Sequence, residues 1–223
     1  MIAGNLHKIA GSLPQGITLV AVSKFHPADA VSEAYDAGQR VFGESRVQEI
    51  TAKAPLLPAD TEWHFIGHLQ TNKVAQLLRV SNLSLIHSID SDRLLRMVDR
   101  EAAKIGKTID VLLELHVADE ETKSGFTVTE LEQWMRDRRF ETLQATHIRG
   151  VMGMATNTDD AARIRADFRS IRSCYDRIIH EIAPDLRRFD VVSMGMSHDY
   201  PIAIEEGATM VRVGTSIFGE RTY

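Results

Sequence analysis

The sequence predicts an α/β protein built as a single (β/α)8 TIM-type barrel, and three observations carry that prediction. Apolar runs rich in β-branched residues alternate with amphipathic stretches of helical period, the pattern of repeated βα units around a parallel sheet. Eight such units fit within 223 residues, a length suited to a closed barrel with short loops, which takes about 200 to 250. No GxGxxG follows the first strand, which disfavours an open dinucleotide-binding sheet.

In chain order, an extra amphipathic helix at about residues 4–12 precedes the first strand, ITLVAVS at 17–23. Helix 27–37 follows, with Pro27 at a first turn, where its missing N–H is no loss. A short second strand at 41–43 leads into helix 44–54, and EWHFIG at 62–67 into helix 71–80. The fourth strand, LSLIHSI at 83–89, precedes helix 91–105, whose start Ser91 or Asp90 can cap. DVLLELHV at 110–117 is the fifth strand, and Thr127 with Glu130 supplies a Thr-x-x-Glu capping box for helix 128–138. The last three strands are expected at 147–155, 189–194 and 209–214, with helices over 158–182 and 200–206 between them. One domain over 1–223 is the resulting expectation.

Composition narrows the function classes. With 26 Lys and Arg against 31 Asp and Glu, and no basic cluster set apart, a nucleic-acid footprint is missing. No run approaches the ~18 apolar residues of a membrane span, and the first 16 residues lack a signal-peptide layout, so a cytoplasmic protein without membrane contact is expected. The single cysteine, Cys174, excludes an intramolecular disulfide framework or a multi-cysteine metal site and suits a packing role in a helix. A small-molecule partner is the better starting point.

In such a barrel the C-terminal strand ends face the active site. Lys24 stands at the end of the first strand. It is either a strand-end lysine reaching into solvent or a partly desolvated amine able to condense with an aldehyde. At the far end of the chain, Ser193-Met194-Gly195-Met196-Ser197 closes the seventh strand and Arg212-Val213-Gly214-Thr215-Ser216 the eighth. Barrels commonly cradle phosphate there, because glycines let backbone N–H groups approach and hydroxyls add donors. Ordinary Gly/Ser turns are the alternative. Arg212 shares a side with Gly214, at or in the barrel mouth. An amine, a phosphate cradle and a ligand-facing arginine together suit pyridoxal 5′-phosphate (PLP).

The segments AVSKFHP (21–27), FGESRVQE (42–49), WHFIGHLQTNK (63–73), HSID (87–90), ETKSGF (121–126), SMGMSHDY (193–200) and EEGATMVRVGTSIFGER (205–221) resemble the pyridoxal phosphate homeostasis protein family. The matches run in order from residue 17 to the C-terminus. The resemblance implies the barrel of fold-type III PLP proteins, similar to the barrel domain of alanine racemase. It implies that Lys24 holds PLP as a Schiff base and that Arg212 faces the pyridine nitrogen. Gly214 and Thr215 correspond to phosphate contacts after strand eight, and Ser193, Met194 and Gly195 to those after strand seven. Ser45 and His64 belong to matching segments that line the same mouth. Two departures stand out: Ser45 where the family usually has asparagine, and Phe25-His26 where it usually has Thr-Lys.

The resemblance implies a PLP-holding homeostasis protein that delivers cofactor to apo PLP-dependent enzymes, with no residue assigned as catalytic. The alternative is an amino-acid racemase-like PLP enzyme. Fold-type III racemases carry a β-rich second domain with a catalytic tyrosine, whereas this chain ends at Tyr223 soon after the barrel, which favours the first function and a monomer. His64 and His68 are spaced H-x-x-x-H but span a strand end and a turn, so no metal site is assigned. His87, His116 and His147 read as hydrogen-bonded framework. Met152, Met154, Met194 and Met196 fit core packing, with contact to a flat ring as the alternative.

Overall fold

A computed structural model describes residues 1–118 and 124–220. Three residues of the ETKSGF segment, 121–123, and Arg221 lie outside the described residues. Eight parallel strands close into a barrel in sequence order: β1 (Thr18–Val22), β2 (Val41–Glu44), β3 (Glu62–Phe65), β4 (Leu83–Ile89), β5 (Ile109–Leu115), β6 (Thr146–Gly153), β7 (Val191–Ser193) and β8 (Met210–Val213). Closure comes from β1 pairing with β8, with Thr18 opposite Met210 and Ala21 opposite Val213. The helices are α1 (Ile2–Ser12), α2 (Ala28–Asp36), α3 (Val47–Lys53), α4 (Val74–Leu77), α5 (Asp92–Lys104), α6 (Val128–Arg136), α7 (Ala161–Arg177), α8 (Tyr200–Glu205) and α9 (Thr215–Phe218).

Strand alternation divides the core in two. Outward-facing residues such as Ala21, Phe42, Val111 and Val211 join the apolar faces of the helices in one large cluster. Inward-facing Val20, Leu85, Leu112, Met152, Val191 and Met210 form a separate layer inside the barrel. Above that layer the interior turns polar, with His87, Glu114, Ser193 and Arg212 all buried. That change of chemistry along each strand is what positions the site.

Most expected elements form, and the differences have local causes. Ser91 caps α5 by accepting the Leu94 N–H, and Thr127 and Glu130 make the reciprocal capping box of α6. Pro27 sits one residue before α2, as its cap. The helix expected to begin at residue 44 begins at Val47 instead. Glu44 extends β2 opposite Phe65, and its carboxylate is held by Ser23 and Lys53, so tertiary pairing overrides the helical preference of glutamate. The helix expected over 71–80 is a tight turn at Thr71–Lys73 followed by the single turn α4. The long helix expected over 158–182 starts at Ala161, capped by Asp160, and widens over Ile178–Ile182.

Candidate functional site

Val20, Val22 and Lys24 lie two apart along and just beyond β1, and Met210, Arg212 and Gly214 lie two apart along β8. Each series therefore keeps to one side. Val20 and Met210 fill the lower layer, while Val22, Lys24, Arg212 and Gly214 line a pocket of about 210 Å³ at the barrel mouth, together with Thr215. Ile66, Met154 and Met196 add apolar wall, and His26, Ser197 and His198 complete it. Among the described residues no carboxylate lines this pocket; its polar groups are amine, guanidinium, imidazole and hydroxyl. Such a set suits an anionic ligand with a flat apolar body.

Lys24 sits in a tight turn. The His26 N–H donates to the Ser23 carbonyl at 3.1 Å, and Phe25 adopts φ 68°, a left-handed conformation that costs a residue with a side chain about 1–2 kcal/mol. The Arg46 guanidinium lies 4.4 Å from the Phe25 ring centroid. The His26 ring stacks on Phe218 of α9 with centroids 5.1 Å apart. The turn is therefore anchored on both of its flanks.

Arg212 is buried and fully engaged on its inner side. Its Nη1 donates to Ser193 Oγ at 2.7 Å and to the Ser193 carbonyl at 2.9 Å, and its Nη2 donates to the Gly153 carbonyl at 3.0 Å. Burial lowers its pKa to about 10, with Glu114 and Asp199 opposing the shift, so it stays cationic near neutral pH. Behind it runs a hydrogen-bonded chain: Ser193 Oγ to His87 Nδ1 at 3.1 Å, then His87 Nε2 to His64 Nδ1 at 3.0 Å. A guanidinium can only donate, so one assignment gives each link a donor and an acceptor and also uses the Ser193 hydroxyl proton. Ser193 accepts from Arg212 and donates to His87, and His87 donates to His64. Both rings are neutral in this chain, because burial pushes His64 down to about 3 and His87 well below its ordinary value.

The loops after β7 and β8 are tied together. Ser197 Oγ accepts the Gly214 N–H at 3.1 Å. Gly195 has φ 93°, and a Cβ there would come within 2.6 Å of the Ala203 Cβ on α8. A Cβ on Gly214 would meet the Val22 carbonyl oxygen at 3.0 Å. Glycine at 195 and 214 is what lets the two loops close against α8 and the end of β1.

Lys24, Arg212, Gly214 and Thr215, singled out from the sequence, meet in this pocket. Ser193 and Met194 are buried behind it, and Gly195 supports Arg212 by accepting its backbone N–H at 3.0 Å. Ser45 and His64 lie elsewhere. Ser45 borders a separate surface depression with Phe65, His68 and Lys73. His64 pairs in register with Leu85 of the lower layer and borders a cavity with Asp110, Arg149 and Asp190; Ile66, two residues on, is the β3 neighbour that reaches the mouth. His64 and His68 do not converge, since His68 is exposed and 3.3 Å from Asp90. His26, Ile66 and His198 were not foreseen, although Ile66 follows from the alternation once the inward side of β3 is known. Met154 and Met196 line the wall, whereas Met152 and Met194 are buried in the core. Cys174 is buried, its thiol pushed up to about 12.

The model of the family described as alanine racemase, N-terminal domain, matches residues 1–222. A pyridoxal phosphate homeostasis protein of Aquifex aeolicus is 41% identical over 209 residues, spanning 92% of this chain and 87% of its own. That of Schizosaccharomyces pombe is 37% identical over 210 residues, spanning 93% and 85%. Among solved structures, PipY of Synechococcus elongatus without PLP superposes with a TM-score of 0.91 at 39% identity, over 98% of this chain and 100% of that one. Its PLP-bound form gives 0.88 at 38% identity over the same shares. Alanine racemase from E. faecalis, at 16% identity, shares the fold alone, with a TM-score of 0.77 over 98% of this chain and 57% of that one.

The neutral histidines set a pH dependence. Between the folded value of about 3 for His64 and the ordinary value of 6.5, the unfolded chain binds a proton that the fold does not. Stability is therefore full above the ordinary value and lost as the pH falls below it. Urea unfolding should show about 2 kcal/mol lost per buried neutral histidine between about pH 7 and about pH 5. The double variant His64→Gln/His87→Gln should lose that part of the slope. Equal slopes in variant and parent would contradict neutral rings.

Proposed function

The chain belongs to the alanine racemase N-terminal-domain family and, within it, to the pyridoxal phosphate homeostasis proteins, and from that premise we propose that the pocket at the barrel mouth is where it holds PLP. The protein binds PLP and acts in PLP homeostasis. One observation carries the assignment of the site: residues from opposite ends of the chain, Lys24 with Arg212, Gly214 and Thr215, line one pocket that is free of carboxylates among the described residues. The donor set fits the cofactor. When bound, PLP supplies an aldehyde carbon open to an amine, a flat ring and a phosphate dianion.

The residues divide those tasks. Lys24, fixed in its turn, would supply the amine that condenses with the aldehyde carbon, the aldehyde oxygen leaving as water. Thr215, at the start of α9, offers the phosphate its backbone N–H; the Gly214 N–H just before it, which donates to Ser197 Oγ here, would join by exchanging that oxygen for a phosphate oxygen, and the hydroxyls of Ser197 and Thr215 add donors. Ile66, Met154 and Met196 contact the ring. Arg212 holds a positive charge beside the ring and disfavours a second one on it. Ser193, Met194 and Gly195 act from behind, by holding Arg212 and the loop. Ser45 is peripheral and His64 acts only through the chain that ends at Arg212. On this reading the whole chain is one PLP-holding barrel, cytoplasmic and monomeric, which passes its cofactor to apo PLP-dependent enzymes.

Two measurements check the site. Borohydride reduction of the PLP-loaded protein followed by peptide mass mapping should place the cofactor's mass on Lys24; a label on Lys73 instead would overturn the assignment. Lys24→Ala should lose the label yet keep its fold, because the barrel core and phosphate loops lie elsewhere. In a binding titration, pyridoxal without its phosphate should bind at least about tenfold more weakly than PLP. Gly214→Val should weaken PLP binding by a similar factor, since its side chain presses on the end of β1. Equal affinity for pyridoxal and PLP would remove the phosphate role of these loops.

A further inference from the structure

Just outside the pocket lies a largely buried set of charges that no role assigned so far uses. Lys53, on α3, and Glu44, at the end of β2, are both buried. The Lys53 ammonium donates to Glu44 Oε1 at 2.7 Å, to Glu49 Oε2 at 3.0 Å and to the Ser23 carbonyl at 3.0 Å. Its three protons thus have three acceptors. The two carboxylates reach on to the chain around Lys24: Ser23 Oγ donates to Glu44 Oε1 at 2.7 Å, and the Phe25 N–H donates to Glu49 Oε2 at 2.8 Å.

The set is an expensive way to fill this space. Burying an ammonium with a carboxylate is often no better for stability than packing apolar side chains of the same volume. Glu44 Oε2 is buried without a hydrogen-bond partner among the described residues, and burial raises the Glu44 pKa to about 7 despite the Lys53 ammonium beside it. What the charges do achieve is local. They hold the hydroxyl and carbonyl of the residue before Lys24 and the N–H of the residue after it, which is the one held at φ 68°. An apolar filling could hold none of these.

We propose that Lys53, Glu44 and Glu49 are positioning residues for Lys24: by gripping Ser23 and Phe25 they fix the left-handed turn that aims the Lys24 amine into the pocket. The clamp rests on the reading of that pocket as the PLP site. It touches the amine's backbone neighbours and leaves the phosphate loops after β7 and β8 alone. Its loss should therefore slow covalent capture while leaving noncovalent affinity in place.

Pyridoxine 5′-phosphate, which has an alcohol where PLP has the aldehyde, reports the noncovalent part. Stopped-flow absorbance on mixing apo protein with PLP reports capture by Lys24. In Glu49→Leu, a change at a partly exposed side chain, capture should slow by about tenfold or more, as misplacement of a reacting group does. Pyridoxine 5′-phosphate affinity should change by less than about threefold, a little over half a kcal/mol. Glu49→Gln keeps an oxygen for the Phe25 N–H and should recover most of the rate. The neutral pair Glu44→Gln/Lys53→Met tests the buried half of the clamp and should match Glu49→Leu. Parent-like capture in Glu49→Leu, or a parallel loss of both readouts, would overturn the clamp. Failure of the parent protein itself to capture PLP would overturn the cofactor site, and the clamp with it.

Discussion

Parallel pairing of β1 with β8, Thr18 against Met210 through Ala21 against Val213, makes a site out of the two ends of the chain. The pairing sets Val20 beside Arg212, and alternation then carries the next inward positions, Val22 and Lys24 on one strand and Gly214 on the other, to the same height at the mouth. Because Gly214 lacks a Cβ, the end of β8 can lie against the Val22 carbonyl. A one-residue slip in this register would turn Lys24 away from Arg212. The outer helices and the large apolar cluster serve that register by holding the strands closed.

Within the closed barrel, polar groups appear where a stability argument alone would place apolar ones. Arg212, Ser193, His87 and His64 form one hydrogen-bonded chain through the interior, and Glu44, Lys53 and Glu49 form another beside the end of β1. Each holds a group whose place matters: the first a guanidinium, the second the turn that carries an amine. Burial keeps His64 neutral, and burial together with the neighbouring His64 and Arg212 keeps His87 neutral. Arg212 is the member that lines the mouth, and the others support it and the turn from behind.

Much of this was legible in the sequence, for identifiable reasons. The apolar runs rich in β-branched residues marked all eight strands, and the rule that barrel sites sit at C-terminal strand ends pointed to Lys24, Arg212, Gly214 and Thr215 without knowledge of any contact. What the motifs left open was finer. Ser45 and His64 belong to segments that run past the mouth, but a motif does not say which side of a strand a residue faces; His64 is inward and too low, and Ser45 lies beyond the strand, at the surface. Glu44 reads locally as the start of a helix, and only its pairing with Phe65 and its burial beside Lys53 make it a strand residue. Interactions between residues 9 and 21 positions apart, such as Lys53 with Glu44 and Ser23 with Glu44, leave no periodic trace in a single chain.

A crystal structure of the protein grown with PLP is the most direct test of the central claim. The account predicts electron density continuous from Lys24 Nζ into the pocket, with the phosphate against Gly214 and Thr215 and Arg212 still bonded to Ser193. Cofactor bound elsewhere, or in the pocket with its phosphate away from both glycine loops and Lys24 turned outward, would contradict it.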